Sequence, residues 1–281
     1  MQLIKKQLPR NCNLILASCV HIGSKLTHYD GIEQLKEELL SKPTNRMIFL
    51  GDLCEAILVD DSKRFDPDTQ DLEILTPGQQ YQRFIDIFKP CAKQILYINT
   101  GNHDYKHNKT IDLVGWVCKE LKVPYGTYSA KLTVVDSKDR TRFKVYTTHG
   151  NGQVSSIADD PIRKLSNMKL SLKRKLAPLA ADCYLQAMAH THKLIVAPPE
   201  RELYITDNGE ALKQNYTVAQ QDAEYIPAHL RWYANTGSFL KNQILGASGY
   251  AERAMYGPVE LGYIRATIED YQIGNVEKVT V

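Results

Sequence analysis

Short apolar runs alternate with stretches of helical period through the first two thirds of the chain. Asn13-Leu14-Ile15-Leu16-Ala17-Ser18 has the composition of a buried strand. Asp30 then predicts an N-cap, opening a helix with Ile32, Leu35, Leu39 and Leu40 on one face. Met47-Ile48-Phe49-Leu50 predicts a second strand. Pro77 suits the first position of a helix that turns Tyr81, Phe84, Ile85 and Phe88 inward. Ile95-Leu96-Tyr97-Ile98 predicts a third strand, and residues 111–121 a third helix. This strand–helix rhythm belongs to an α/β fold. The pattern then shifts to a hairpin, 131–135 against 143–146 around a polar turn. A helix over about 160–177 leads to a strand over 183–188, and the part from about residue 193 reads as mostly β. There is no repeat, low-complexity run or linker, so a single domain over 1–281 is expected.

Composition narrows the picture without redrawing it. At 43% hydrophobic and 24% charged residues, 281 residues make an ordinary globular chain, far from disorder. Thirty-five basic against 32 acidic residues leave +3, too small a surplus to argue for a polyanionic partner by itself. The opening Met1-Gln2-Leu3-Ile4-Lys5-Lys6-Gln7-Leu8-Pro9 has no apolar core of signal-peptide length, and no stretch approaches the roughly 20 apolar residues of a membrane span. A cytoplasmic protein with no membrane partner is expected. The six cysteines lack paired spacing and fit a reducing compartment.

The chemistry lies where the strands stop, which is where open α/β sheets gather functional groups. The first strand ends in Cys19-Val20-His21 and the second in Gly51-Asp52-Leu53-Cys54-Glu55. The third ends in Gly101-Asn102-His103-Asp104. The later ones end in Thr148-His149-Gly150 and Ala189-His190-Thr191-His192. Five of the eight histidines fall in these places. Any one of them alone is ordinary strand-end or turn chemistry. An ordered series at five strand ends is not. Two divalent ions about 3.5–4 Å apart clamp the attacking and leaving oxygens of an in-line phosphoryl displacement. A carboxylate such as Asp52 bridges such a pair, and imidazoles suit zinc, iron and manganese. Gly51 and Gly101 let the chain turn sharply after each strand.

The ordered set resembles the calcineurin-like metallophosphoesterases, whose signature runs Asp-x-His, Gly-Asp-x-x-Asp/Glu, Gly-Asn-His-Asp/Glu, a His, and Gly-His-x-His. Asn235-Thr236-Gly237-Ser238 also resembles a turn of the bacterial branch. Leu75-Thr76-Pro77-Gly78 and Val123-Pro124-Tyr125 resemble segments of bacterial and phage members. The resemblance covers about residues 12–240. It implies a four-layer α/β/β/α sandwich of two mixed β-sheets flanked by helices. It further implies a dinuclear metal-dependent hydrolase of phosphate esters, with a phosphodiester, nucleic acid ends included, favoured over a monoester. One divalent ion, manganese, zinc or iron, would sit on Cys19, His21, Asp52 and His192, and a second on Asp52, Asn102, His149 and His190. His103 would be the general acid and Glu55 the carboxylate orienting it, while Asn102 would also meet the substrate.

Two positions depart from the signature. Ala189 stands for glycine, a small change. Cys19 stands for the first aspartate, and two readings follow. As a thiolate ligand it favours zinc or iron over manganese. As a buried small hydrophobe it removes a ligand, leaving a weakened member that acts as a binding or scaffold module. Outside the ligand set, Lys106, His107 and Lys109 are either contacts to a substrate phosphate or exposed loop residues. The basic residues over 161–176 suit a solvated helix face or a surface tracking nucleic acid. The acidic stretch 60–73 reads as a surface loop or lid, and Tyr225, Trp232, Tyr233, Tyr250 and Tyr256 as packing or base-stacking residues. No coiled-coil or dimerisation motif is visible, so the oligomeric state stays open.

Overall fold

The computed structural model describes residues 1–61, 64–107 and 111–281. Lys109 therefore lies outside the described residues. An edge strand β1 (Gln2–Gln7) precedes the first buried strand β2 (Cys12–Ala17). Helix α1 (Tyr29–Ser41), strand β3 (Arg46–Phe49), helix α2 (Pro77–Phe88) and strand β4 (Ile95–Ile98) follow. A single turn α3 (Asn102–Tyr105) and helix α4 (Leu113–Leu121) close this half. Then come the hairpin β5 (Ser129–Val135) and β6 (Thr141–Thr148), helix α5 (Pro161–Leu176), and strands β7 (Leu185–Met188) and β8 (Leu194–Ala197). The remainder holds the ribbon β9 (Leu203–Asp207) and β10 (Leu212–Tyr216), then β11 (Trp232–Thr236) and the turn α6 (Tyr250–Arg253). It ends in the hairpin β12 (Gly262–Glu269) and β13 (Gln272–Thr280).

Two mixed sheets form, ordered β1-β5-β6-β7-β11-β8 and β13-β12-β2-β3-β4. The period of two along each strand explains the layering. In β2, Leu14 and Leu16 point into the core between the sheets, where they meet Leu132, Val134, Phe143, Val145, Leu185 and Ala234. Ile15 and Ala17 point the other way, into a second core with Leu35 and Leu39 of α1 and Phe84 and Phe88 of α2. A strand buried on both faces must be apolar throughout, which is why 13–17 shows no alternation. On the far side, Tyr146, Met188 and Tyr233 pack under Leu172 and Leu176 of α5. The four layers are thus helices, sheet, sheet, helix. Each fully buried Phe or Leu contributes roughly 1.5–3 kcal/mol of transfer free energy. The helix layer over β2, β3 and β4 is anchored by the ring cluster Phe49, Phe84 and Phe88, with centroids 4.7 to 5.1 Å apart.

Several boundaries differ from the sequence expectation. The N-cap position of α1 is His28, with no side-chain cap, and Asp30 sits in the first turn, where its charge favours the helix dipole. Leu40 is left exposed at the back of that helix. The third helix starts at Leu113 because Asp112 caps it through Gly115 N at 2.8 Å, which leaves Ile111 outside and exposed. Pro77 opens α2 as expected, behind a Thr76–Gln79 capping box. Asp160 caps α5 through Arg163 N at 2.8 Å, yet Ile162 and Leu165 stay exposed while Leu172 and Leu176 are buried. Strand β12 runs antiparallel to β2, carrying the late part of the chain back into the first sheet. Among the described residues no helix is long and apolar enough to cross a membrane.

Candidate metal centre

The ends of β2, β3, β4, β6 and β7 meet at one rim, and the backbone there is unusual. Cys19, His21, Asp52, His190 and His192 all have positive φ, between 50° and 70°. Each left-handed non-glycine residue costs about 1–3 kcal/mol and persists only where its surroundings over-determine it. Here they do. Cys19 N donates to Gly51 O at 3.0 Å, Val20 N to Asp52 O at 2.9 Å, and Phe239 N to Cys19 O at 3.0 Å. Ser238 Oγ donates to Cys19 O at 3.1 Å, and Asn235 Nδ2 donates to Thr191 Oγ1 at 2.7 Å. The 235–238 turn thus holds both the first and the last ligand loops. Between them, Gly51 (φ +90°) and Gly101 pass so close that a Cβ on Gly101 would lie 2.1 Å from Asp52 Oδ1. Neither loop could keep this path with a larger residue.

The structure brings the seven expected ligand residues together. Asp52 Oδ2 lies 3.1 Å from His149 Nε2 and 4.0 Å from His21 Nε2, so one carboxylate oxygen faces both halves of the cluster. Its other oxygen, Oδ1, accepts from His103 N at 2.8 Å. His21 Nε2 stands 3.2 Å from His192 Nε2, and ligand atoms of Cys19, His21 and His192 lie within 4.8 Å of one another. Those of Cys19, Asp52 and His149 do the same. Asn102 Oδ1 is 2.9 Å from His149 Nε2 and 2.7 Å from His190 Nδ1.

The donor chemistry fits two divalent cations. His149 Nδ1 donates to Leu50 O at 2.7 Å, and His21 Nδ1 to a Glu55 carboxylate oxygen at 2.7 Å. In the neutral rings both Nε2 atoms are then bare lone pairs. They point at Asn102 Oδ1, Asp52 Oδ2 and His192, acceptors facing acceptors, an arrangement that a cation or a proton must hold together. Turning the Asn102 amide over would let its nitrogen donate to His149, Asp52 and His190; a cation among them requires the oxygen inward.

Burial opposes charge on His149, but the Asp52 carboxylate and its hydrogen bond carry the ring up to about 9. Burial likewise works against a charged His21, and Glu55 and Cys19 still raise it well above its ordinary value. Burial would raise the Cys19 thiol, whereas the charge and hydrogen bonds of His192 and His21 hold it well below its usual range. Asp52 is also held low despite burial, by His149 and His103. His190 is lowered by burial and by His149.

His103 is half-buried at the rim, and its ring stands edge-on to His21 with centroids 4.8 Å apart. Its Nδ1 donates to the backbone oxygen of Glu55 at 2.7 Å, which leaves Nε2 free to carry a proton. This corrects one expectation. The Glu55 carboxylate orients His21, and only its main chain orients His103, because residue 55 follows the loop bend and presents its carbonyl to His103 and its side chain inward. His107 also departs from expectation. Its Nε2 is engaged by Ala56 O at 2.7 Å, so the ring buttresses the loop. Lys106 is half-buried; burial, then Arg64, lowers its pKa, against the pull of Asp52, Glu55 and Asp61.

Asp104 was quoted in the sequence motif without a role, and the structure supplies one. Fully buried, it accepts from Asp52 N at 2.7 Å, Leu53 N at 3.2 Å, Gly101 N at 2.8 Å and the Tyr81 hydroxyl. One carboxylate therefore ties two ligand loops to α2. The lone hydroxyl of Tyr81 on an otherwise apolar helix face was the available signal. Asp104→Ala orphans three buried N–H groups at about 1–3 kcal/mol each, so a loss of roughly 3 kcal/mol or more is expected, read as a lower denaturant midpoint.

Of the late aromatics, Tyr233 and Trp232 pack against the cores, and Tyr225 lies beneath the Arg231 guanidinium at 5.8 Å. Tyr250 and Tyr256 remain exposed. In the acidic stretch, Asp66 pairs with Arg253 at 2.6 Å and Asp71 caps a short turn, so the described part is pinned to the body.

A family model described as calcineurin-like phosphoesterase matches residues 13–219. No curated protein matches the chain. Similar solved structures include the calcineurin-like phosphoesterase YfkN from Bacillus subtilis, 13% identical over 96% of this chain and 90% of that one, with a TM-score of 0.39. The nuclease MPE from Pseudomonas putida is 12% identical over 95% and 87%, with a TM-score of 0.34. Vps29 from Chaetomium thermophilum is 13% identical over 95% and 97%, with a TM-score of 0.35.

Proposed function

Since the chain belongs to the calcineurin-like phosphoesterases, metal-dependent hydrolases of phosphate esters, we propose that it cleaves a phosphodiester, nucleic acid ends included, at a dinuclear centre. Cys19, His21, Asp52 and His192 hold one ion, and Asp52, Asn102, His149 and His190 the other. When bound, such a pair supplies Lewis acidity toward the phosphate and lowers the pKa of water. The observation that carries this reading is the position of Asp52 Oδ2, which faces His149 on one side and His21 on the other.

The chain's own groups account for the remaining steps. Glu55 and Leu50 O fix the tautomers of His21 and His149, so that their bare nitrogens face the centre. His103, steered by Glu55 O, presents Nε2 as the general acid that protonates the leaving oxygen. A diester is favoured because the rim opens at His190 and His192 into a cleft of about 960 Å³, far more room than one phosphate requires. With a divalent metal supplied, an aryl phosphodiester is expected to be cleaved with kcat/KM at least about tenfold above that of its monoester, or about 1.4 kcal/mol in the barrier. The reverse order would overturn the diester preference.

Cys19 supports a thiophilic first site. Its side chain packs with the core between the sheets, while its sulfur stands with His21 and His192 on one side and Asp52 and His149 on the other. Zinc or iron is therefore expected in the purified protein in preference to manganese. Cobalt-substituted protein should show a sulfur-to-cobalt charge-transfer band in the near ultraviolet that Cys19→Asp removes. A spectrum that this substitution leaves unaltered would show that the sulfur is not a ligand.

A further inference from the structure

The cleft that opens at His190 and His192 has two chemically distinct walls. One carries the exposed ammonium groups of Lys164, on α5, and Lys193. The other is built by the segment 242–259 and presents Tyr250 and Tyr256, 70% and 50% exposed, with ring centroids 6.0 Å apart and edge to face. A surface loop has no packing reason to display two such rings. Nor is this loop loosely attached. Asn242 Nδ2 donates to Gly257 O at 2.6 Å, Gln243 Nε2 to Tyr256 O at 2.8 Å, and Arg253 pairs with Asp66 at 2.6 Å. The loop that carries the rings is thus braced within itself and tied to Asp66.

We propose that this cleft binds the nucleoside part of the substrate, with the Tyr250–Tyr256 pair offering one ring face to stack on a base and the other ring its edge, and with Lys164 and Lys193 as partners for a flanking phosphate. The inference rests on the phosphodiesterase reading and names its substrate class. Aromatic faces beside cations, continuous with a phosphate-cleaving centre, match a ligand that joins a flat π-system to a phosphate. Stacking on an aromatic side chain contributes about 1–3 kcal/mol per base and tolerates any base, since every base has a π-face. An alkyl phosphate would leave both rings unused.

The test compares two diesters with the same leaving group, thymidine 5′-(p-nitrophenyl phosphate) and methyl p-nitrophenyl phosphate, on the metal-loaded protein. The nucleoside diester should be preferred by about tenfold or more in KM. Tyr250→Ala combined with Tyr256→Ala should collapse that ratio by about tenfold, the lower part of the stacking range. The double Tyr→Phe variant should retain it. Equilibrium binding of thymidine monophosphate, compared with inorganic phosphate, should fall in parallel in the alanine variant and not in the phenylalanine one. Equal KM values for the two diesters, or a ratio that survives loss of both rings, would overturn the nucleoside subsite while leaving the phosphodiesterase reading intact. Failure to cleave either diester would remove that reading and this one with it.

Discussion

Asp52→Asn is expected to depopulate both metal positions together and to abolish measurable turnover. The reason is geometric. Cys19, His21 and His192 lie on one side of Asp52 Oδ2, and Asn102, His149 and His190 on the other. An amide in place of the carboxylate removes the negative charge that faces both His149 and His21, and turns a nitrogen or a neutral oxygen toward two cations. Loss of an outer partner costs about 10–100-fold in metal affinity or activity, so loss of the shared anionic ligand should exceed the upper end of that range. Metal analysis of the purified variant checks it. A variant that retains both ions at wild-type stoichiometry would mean that Asp52 is not shared.

His103→Ala should leave the ions in place and still cut turnover by about 10²–10⁴, the range expected for loss of a positioned general acid. Its Nδ1 is committed to Glu55 O, its ring stands edge-on to His21, and the main-chain N–H that donates to Asp52 Oδ1 survives the substitution. The effect should therefore appear in kcat. It should be largest on a diester with a poor leaving group and shrink on an activated aryl leaving group, which needs less protonation. Equal losses on both substrates would assign His103 a role in charge stabilisation instead.

Much of this arrangement was legible because strand ends are local. The first candidate ligand of each motif follows its strand by one to four residues, and the apolar runs at β2, β3 and β4 mark the strands even where helix caps are misplaced. Tyr81, Phe84, Ile85 and Phe88 are buried along α2 as their spacing implies. What the sequence could not carry is non-local or depends on one dihedral. Edge strand β1 has a single buried residue, Ile4, and so leaves almost no pattern. The pairing of β12 with β2 joins residues some 250 positions apart, for example Ile264 with Leu16, and no local period encodes it.

The site itself shows the same division. The candidate ligands were readable, but their orientation was not, since it depends on left-handed backbone at Cys19, His21, Asp52, His190 and His192. Glu55 lies in reach of both His21 and His103, and only the path of the 52–56 loop decides that its carboxylate meets the former. Asp104 looked like the last letter of a motif and proves to be the buried acceptor on which two ligand loops hang.

On the proposed function, seven side chains form one two-ion centre that cleaves phosphate esters. Titration of the metal-free protein with cobalt(II), followed by bound metal and by hydrolysis of an aryl phosphodiester in the same samples, tests it most directly. Two equivalents bound per chain, with turnover reaching its plateau only as the second is taken up, is the predicted result. A plateau at one equivalent, or two equivalents bound without hydrolysis of any phosphate ester, would contradict it.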